Sequence, residues 1–73
     1  MQSDNLGYFI RNKREAIKPK VSLNKFAFDN DIDPAMLSRI ETGKQDITYT
    51  TLKKIAKGFS MKLSTFFAEF ENK

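Results

Sequence analysis

Apolar residues recur along this chain at three, four and seven positions, the spacing of one face of a helix, and nowhere alternate as a strand would require. Leu6, Phe9, Ile10 and Ile17 form the first such stripe. Ser3 or Asp4 is its candidate cap, and Pro19 is expected to end it, because the residue before a proline is pushed out of helical geometry. A second stripe, Leu23, Phe26 and Ala27, follows Ser22, whose hydroxyl suits an N-cap. Lys25 stands where a capping box would carry Glu. The run "DNDID" breaks this helix, since Asp and Asn tolerate left-handed backbone better than most residues.

Asp33 followed by Pro34 is a strong helix start: the carboxylate caps, and proline at the first helical position gives up no hydrogen bond. Leu37 and Ile40 face inward, and Gly43 suits the positive φ that follows a helix end, so a helix of about ten residues is expected. Thr48 is the candidate cap of a fourth helix carrying Leu52, Ile55, Ala56 and Phe59, weakening at Gly58 and Ser60. Leu63, Phe66, Phe67 and Phe70 mark a fifth. No internal repeat or low-complexity linker interrupts the pattern. The expectation is a single all-α domain spanning residues 1–73, built of five short helices.

Size and composition narrow the function. A 73-residue chain buries only about 60% of the surface it exposes when unfolded, so it needs an efficient helical core or a partner. Seven Phe, two Tyr and three Met supply the bulk. With no Cys and no His, the chain lacks thiolate ligands and the commonest general base and metal ligand, which argues against an enzyme and predicts no cofactor. "DNDID" begins like a calcium loop, but Pro34 replaces the sixth-position glycine and Ile40 the twelfth-position acid, so no metal is expected there. No apolar run approaches a membrane span, and "MQSDNLGYF" lacks a basic region followed by an apolar one, so a cytoplasmic location is expected.

The net charge of +4 is unevenly spread. Residues 11–25 are locally +5, residues 26–46 are −3 and residues 47–73 are +3. The basic run is either a polyanion contact or a solvated face.

A helix, a tight turn and a second helix starting at Asp33 form the geometry of a helix-turn-helix, over about residues 23–43. In such units the second helix enters the major groove while the first crosses the backbone. Ala27 is small where the helices approach, Asp31 lies at the reversal, and Ile32 and Leu37 lock the two together. The helix N-termini after Ser22 and Asp33 offer N–H groups to phosphate, with Lys25 beside the first. Thr42, Lys44 and Gln45 follow the second helix and suit a clamp on the adjacent strand. The aspartates at 29, 31 and 33 are tolerable only if they face away from the phosphates.

The stretch "FAFDNDIDPAMLSRIETGK" resembles, without a gap, the run "LAxxLGVSxxTISRIENGK" of the Cro and lambda-repressor type of helix-turn-helix domain. "FIRNKREA" resembles that family's first helix and "TYTTLKKIAKGFSMKLSTFF" its fourth and fifth, so the likeness covers about residues 5–68. It implies a compact five-helix fold, sequence-specific binding of double-stranded DNA, and a transcription regulator of bacterial or phage type. It also implies that Arg14 on the first helix pairs with Glu41 at the end of the recognition helix, tying scaffold to DNA-facing unit.

There are departures. Asp31 replaces the turn glycine, Asn30 a buried leucine, and Phe28 a polar surface residue, leaving Phe28 either turned inward or on a contact surface. In the recognition helix, Pro34, Ala35 and Met36 offer only apolar contact, Ala35 to a thymine methyl for example. Ser38 and Arg39 alone can donate, and Arg39 is the residue able to grip guanine with two bonds unless it points to phosphate.

Readers of this type often act as two-fold dimers. Phe67 and Phe70 are the candidate dimer contacts, the alternative being that Phe70 folds back near Phe9. The rival function is a protein-interaction module on the same fold, docking a partner on Pro34, Ala35 and Met36 with little or no specific DNA binding; fold alone does not decide. Nothing resembles a small-molecule-binding domain, so any signal is expected to act on dimerisation, on a partner or on abundance.

Overall fold

The computed structural model describes residues 5–72 and contains five helices: α1 (Leu6–Glu15), α2 (Leu23–Asp29), α3 (Pro34–Glu41), α4 (Tyr49–Gly58) and α5 (Leu63–Glu71). No strand occurs among the described residues. The candidate caps Ser3 and Asp4 lie outside them. Three caps form where short polar side chains precede an apolar stripe. Ser22 Oγ accepts from Lys25 N–H at 3.1 Å, Asp33 Oδ2 from Met36 N–H at 2.9 Å, and Thr48 Oγ1 from Thr51 N–H at 3.2 Å. Each satisfies one of the donors that a helix start leaves without an intrahelical partner.

Two boundaries differ from expectation. α1 closes at Glu15, with Ala16 as its C-cap, ahead of Pro19, and Ile17 packs on the core from the loop. α3 has eight residues, because the chain already turns at Thr42 and Gly43.

Helices α2, α3 and α4 all stop in the same way. The residue after each C-cap is left-handed: Asp31 at φ 60°, Gly43 at φ 77° and Ser60 at φ 59°. The next N–H returns to the carbonyl five residues earlier, Ile32 to Ala27 at 2.8 Å, Lys44 to Arg39 at 2.8 Å and Met61 to Ala56 at 3.0 Å. This is the Schellman arrangement, which satisfies carbonyls at a helix end. Only Gly43 has the residue type that adopts it without strain, since a side chain in this region costs energy that glycine avoids.

Ile10, Phe26, Ala27, Ile32, Leu37, Ile40, Leu52, Ile55, Ala56 and Phe66 make one buried cluster. An aromatic seam runs through it. Phe66 lies 5.4 Å from Phe9 and 6.2 Å from Phe59, and Phe59 lies 4.9 Å from Phe26, so α5 is joined to α1, α2 and the end of α4. Phe70 is half-buried with its ring 5.2 Å from that of Phe9, so one side of it is taken by the protein's own first helix.

α3 packs between α1 and α2. Gly7 lets α1 approach, for a Cβ there would stand 1.9 Å from the carbonyl oxygen of Ile40. Asn30, in the place of a buried leucine, is accommodated rather than expelled. Its Nδ2 donates to the Phe26 carbonyl at 2.7 Å, and the missing side chain of Gly58 makes room, since a Cβ there would lie 2.8 Å from the Asn30 amide.

The close approach at Gly7 and the left-handed backbone of Ser60 predict opposite effects of two exchanges that involve glycine. Gly7→Ala should destabilise by about 1–3 kcal/mol, because the obstruction is backbone and cannot swing aside. Ser60→Gly should stabilise by up to about 1 kcal/mol by relieving the left-handed serine. Thermal unfolding of both variants beside the parent checks the signs.

Candidate nucleic-acid interface

The carboxylate of Glu41, in the last turn of α3, is gripped by Arg14 of α1. Nε–Oε2 and Nη2–Oε1 are both 2.9 Å, and Nη1 donates to the Val21 carbonyl at 3.0 Å. Both residues are buried. One guanidinium therefore ties together α1, the loop entering α2 and the C-terminal turn of α3. Its planar fork matches a carboxylate as an ammonium cannot. The hydrogen bond to Glu41 raises the Arg14 pKa above its ordinary value, against an opposing effect of burial; the Glu41 and Glu15 charges add to the rise. The stability that this raised pKa contributes is thus complete at neutral pH and is lost as pH climbs into the strongly alkaline range.

With Leu37, Ile40 and Glu41 facing inward, α3 turns Ala35, Ser38, Arg39 and Thr42 outward. Their spacing of three and four puts them on one helix face. Of the sequence candidates, Pro34 and Met36 are half-buried, and Met36 packs against the core, so Ala35 is the apolar residue of "DPAM" that stands in the open. Arg39 Nε donates to Gln45 Oε1 at 2.7 Å. Thr42 Oγ1 lies 2.9 Å from the Ser38 carbonyl and 3.3 Å from that of Arg39, which commits its hydroxyl hydrogen to the helix rather than to a phosphate.

The helix N-termini are less open to phosphate than their cap sequences imply. Asp33 occupies the start of α3 with a carboxylate bonded to Met36 N–H, and Pro34 has no N–H to offer. At α2 the cap is a neutral hydroxyl, leaving the N–H groups of Leu23 and Asn24 outside the cap bond.

The local charges are also rearranged by folding. Arg14 is buried with Glu41, Arg11 pairs with Glu15 at 3.2 Å, Lys13 with Glu69 at 2.6 Å and Lys25 with Asp29 at 2.9 Å. The +5 run thus leaves Lys18 and Lys20 exposed with no ion pair among the described residues. The three aspartates are occupied as well. Asp29 holds Lys25, Asp33 caps α3, and Asp31 lies 3.5 Å from Lys54 Nζ, which also bonds the Asp31 carbonyl at 2.9 Å. This last bond, which the sequence did not announce, fastens the turn to α4. Lys44, at the far end of α3, is exposed and carries no ion pair among the described residues.

Phe28 faces outward at 84% exposure, which decides between its two sequence readings in favour of surface. It lines a shallow cleft with Ser22, Lys25 and Pro34. Among the described residues, no buried side-chain nitrogen or oxygen lacks a hydrogen-bond partner, and no cluster of three or more metal-ligating side chains occurs. No described helix is long and apolar enough to cross a membrane.

A second helix fixed from behind and open in front defines the class of this structure, a helix-turn-helix, and residues 10–66 match the helix-turn-helix family. The chain belongs to that family. It is similar to the control protein C.MunI of Mycoplasma sp, at 35% identity over 54 residues that cover 74% of this chain and 73% of that protein. No solved structure matches the chain. Family and fold together make it a DNA-binding transcriptional regulator.

Removing one partner of the buried ion pair leaves the other charged and dry. Glu41→Ala is expected to cost about 3–5 kcal/mol, a large part of the stability of so small a domain. The double exchange Arg14→Met with Glu41→Leu is expected to recover most of that loss. Urea denaturation of the parent and both variants measures the two effects.

Proposed function

We propose that the protein regulates transcription as a homodimer, setting α3 of each copy in the major groove of a two-fold symmetric DNA site. It would act by occluding a promoter or by recruitment at one. The observation that carries this reading is the exposed face of Ala35, Ser38, Arg39 and Thr42, backed by a buried ion pair that fixes the helix end. The similar Mycoplasma protein is named a control protein, which agrees with a regulatory role.

In this reading Arg39 grips guanine, Ser38 donates to a neighbouring base edge and Ala35 packs against a thymine methyl. Lys44 meets a phosphate by charge. Ser22 and Lys25 at the start of α2 flank the same strand, Lys25 only when released from Asp29. The half-buried Phe67 and Phe70 on α5 are the candidate contacts with the second copy. The protein works by binding and not by catalysis, in the cytoplasm where the DNA is, with no cofactor.

A second reading, a protein-docking module, is favoured by one observation, the exposed ring of Phe28 beside Pro34.

Selection from a random double-stranded DNA pool at moderate salt tests the first reading. An enriched palindrome with half-sites about 34–36 Å apart is expected; no enriched sequence would favour the docking module. On the selected site, Arg39→Ala should remove about 1–3 kcal/mol of preference at one base pair of each half-site. Lys44→Ala should weaken binding to all sequences alike and reduce the slope of log affinity against log salt by about 0.9 for each phosphate no longer neutralised.

A further inference from the structure

Gln45 follows α3 by four residues and belongs to no helix, yet its side chain meets Arg39. We propose that Gln45 is a specificity-determining positioning residue: it holds the Arg39 guanidinium by Nε and aims the two terminal nitrogens at the base edge. This role rests on the reading of Arg39 as the guanine contact and says what makes that contact selective.

The geometry supports this in three ways. First, the bond is 2.7 Å, and because a guanidinium only donates, the atom facing it is the amide oxygen. The Gln45 Nε2 is thereby turned to the other side with two hydrogens to give, and a backbone phosphate is the acceptor a DNA complex would supply. One amide then links the phosphate register to the base contact.

Second, the delivery of Gln45 is built into the helix end. Gly43 takes φ 77°, Gly43 N–H bonds the Ile40 carbonyl at 3.1 Å, and Lys44 N–H bonds the Arg39 carbonyl at 2.8 Å. The chain therefore folds back over the turn that carries Arg39. Gln45 is half-buried, so it begins from a restricted position rather than a freely rotating one.

Third, the bond uses Nε and leaves the terminal pair for the fork that reads guanine O6 and N7. A long side chain loses rotamer freedom when it is fixed on a base. Fixing it beforehand on Gln45 removes part of that cost for the correct base. It also withholds the side chain from swinging to a phosphate, where it would add affinity without selectivity.

The test uses the full chain and the duplex enriched by selection, together with duplexes changed at the Arg39 base pair. Affinity is measured for the parent, Arg39→Ala, Gln45→Ala, Gln45→Glu and the double variant Arg39→Ala with Gln45→Ala. Thermal unfolding without DNA shows whether each variant is folded. Gln45→Ala is expected to lower the preference for guanine at that pair by about three- to tenfold, part of what Arg39→Ala removes. Added to Arg39→Ala, it should cause no further loss of preference. Gln45→Glu keeps an acceptor for Nε, so it should retain the preference while weakening binding to every duplex, because a carboxylate repels the phosphates.

An unchanged preference in Gln45→Ala, with Arg39→Ala still losing it, overturns the inference and leaves the reading of Arg39 intact. The same follows if Gln45→Ala weakens all duplexes equally, which would make it a phosphate contact alone. If Arg39→Ala itself keeps the preference, the reading of Arg39 fails and the positioning role falls with it.

Discussion

The buried bond between Arg14 and Glu41 is the constraint on which the rest of the molecule hangs. Helix α3 is only eight residues long and could not hold its shape in water alone, since isolated helices of that length are marginal. Its apolar face is clamped by the core, and its C-terminal turn is clamped by the guanidinium. The third donor of that guanidinium reaches the Val21 carbonyl and so fixes the approach to α2 as well. A wholly apolar contact at this place could stabilise as much, but it would not set direction. The planar fork specifies how α3 rotates about its axis, and therefore which side chains point away from the protein.

Rotation and register in turn decide what the interface can do. Ala35, Ser38, Arg39 and Thr42 are outward because Leu37, Ile40 and Glu41 are inward. This face is chemically lean. Thr42 has spent its hydroxyl hydrogen on its own helix, and Asp33 has filled the helix start with a carboxylate. Of the four outward residues, Arg39 alone carries a charge, and in the proposed reading base discrimination falls chiefly to it. The acidic turn does not contradict a DNA-facing role, since each of its three aspartates has a partner or a capping bond within the protein.

Much of this was legible in the sequence, and for a definable reason. Caps and stops act over three to six residues, so Ser22, Asp33, Thr48 and Gly43 announce themselves by residue type and position. The inward stripe of each helix is equally local. The Arg14–Glu41 bond spans 27 positions and was legible only through family resemblance. What stayed hidden depends on how the helices cross. The Lys13–Glu69 pair joins residues 56 apart, which is why a local sum of +5 overstated the open positive surface. Gly7 and Gly58 lie within α1 and α4, where a glycine is a helix-weakening residue and therefore a signal of close approach, but the partners, Ile40 and Asn30, required the fold. The bond from Gln45 to Arg39 left no sequence signal at all, because it crosses a turn whose path emerges only on folding.

Whether the outward face of α3 meets DNA is tested most directly by NMR, following backbone amide chemical shifts while the selected duplex is titrated in. The largest changes are predicted at Ala35, Ser38, Arg39 and Lys44, with small changes along the inward face of α4. Changes gathered at Phe28 and α2 while those four amides stay still would contradict a DNA-reading α3, and would make the exposed aromatic, rather than the recognition helix, the working surface of the protein.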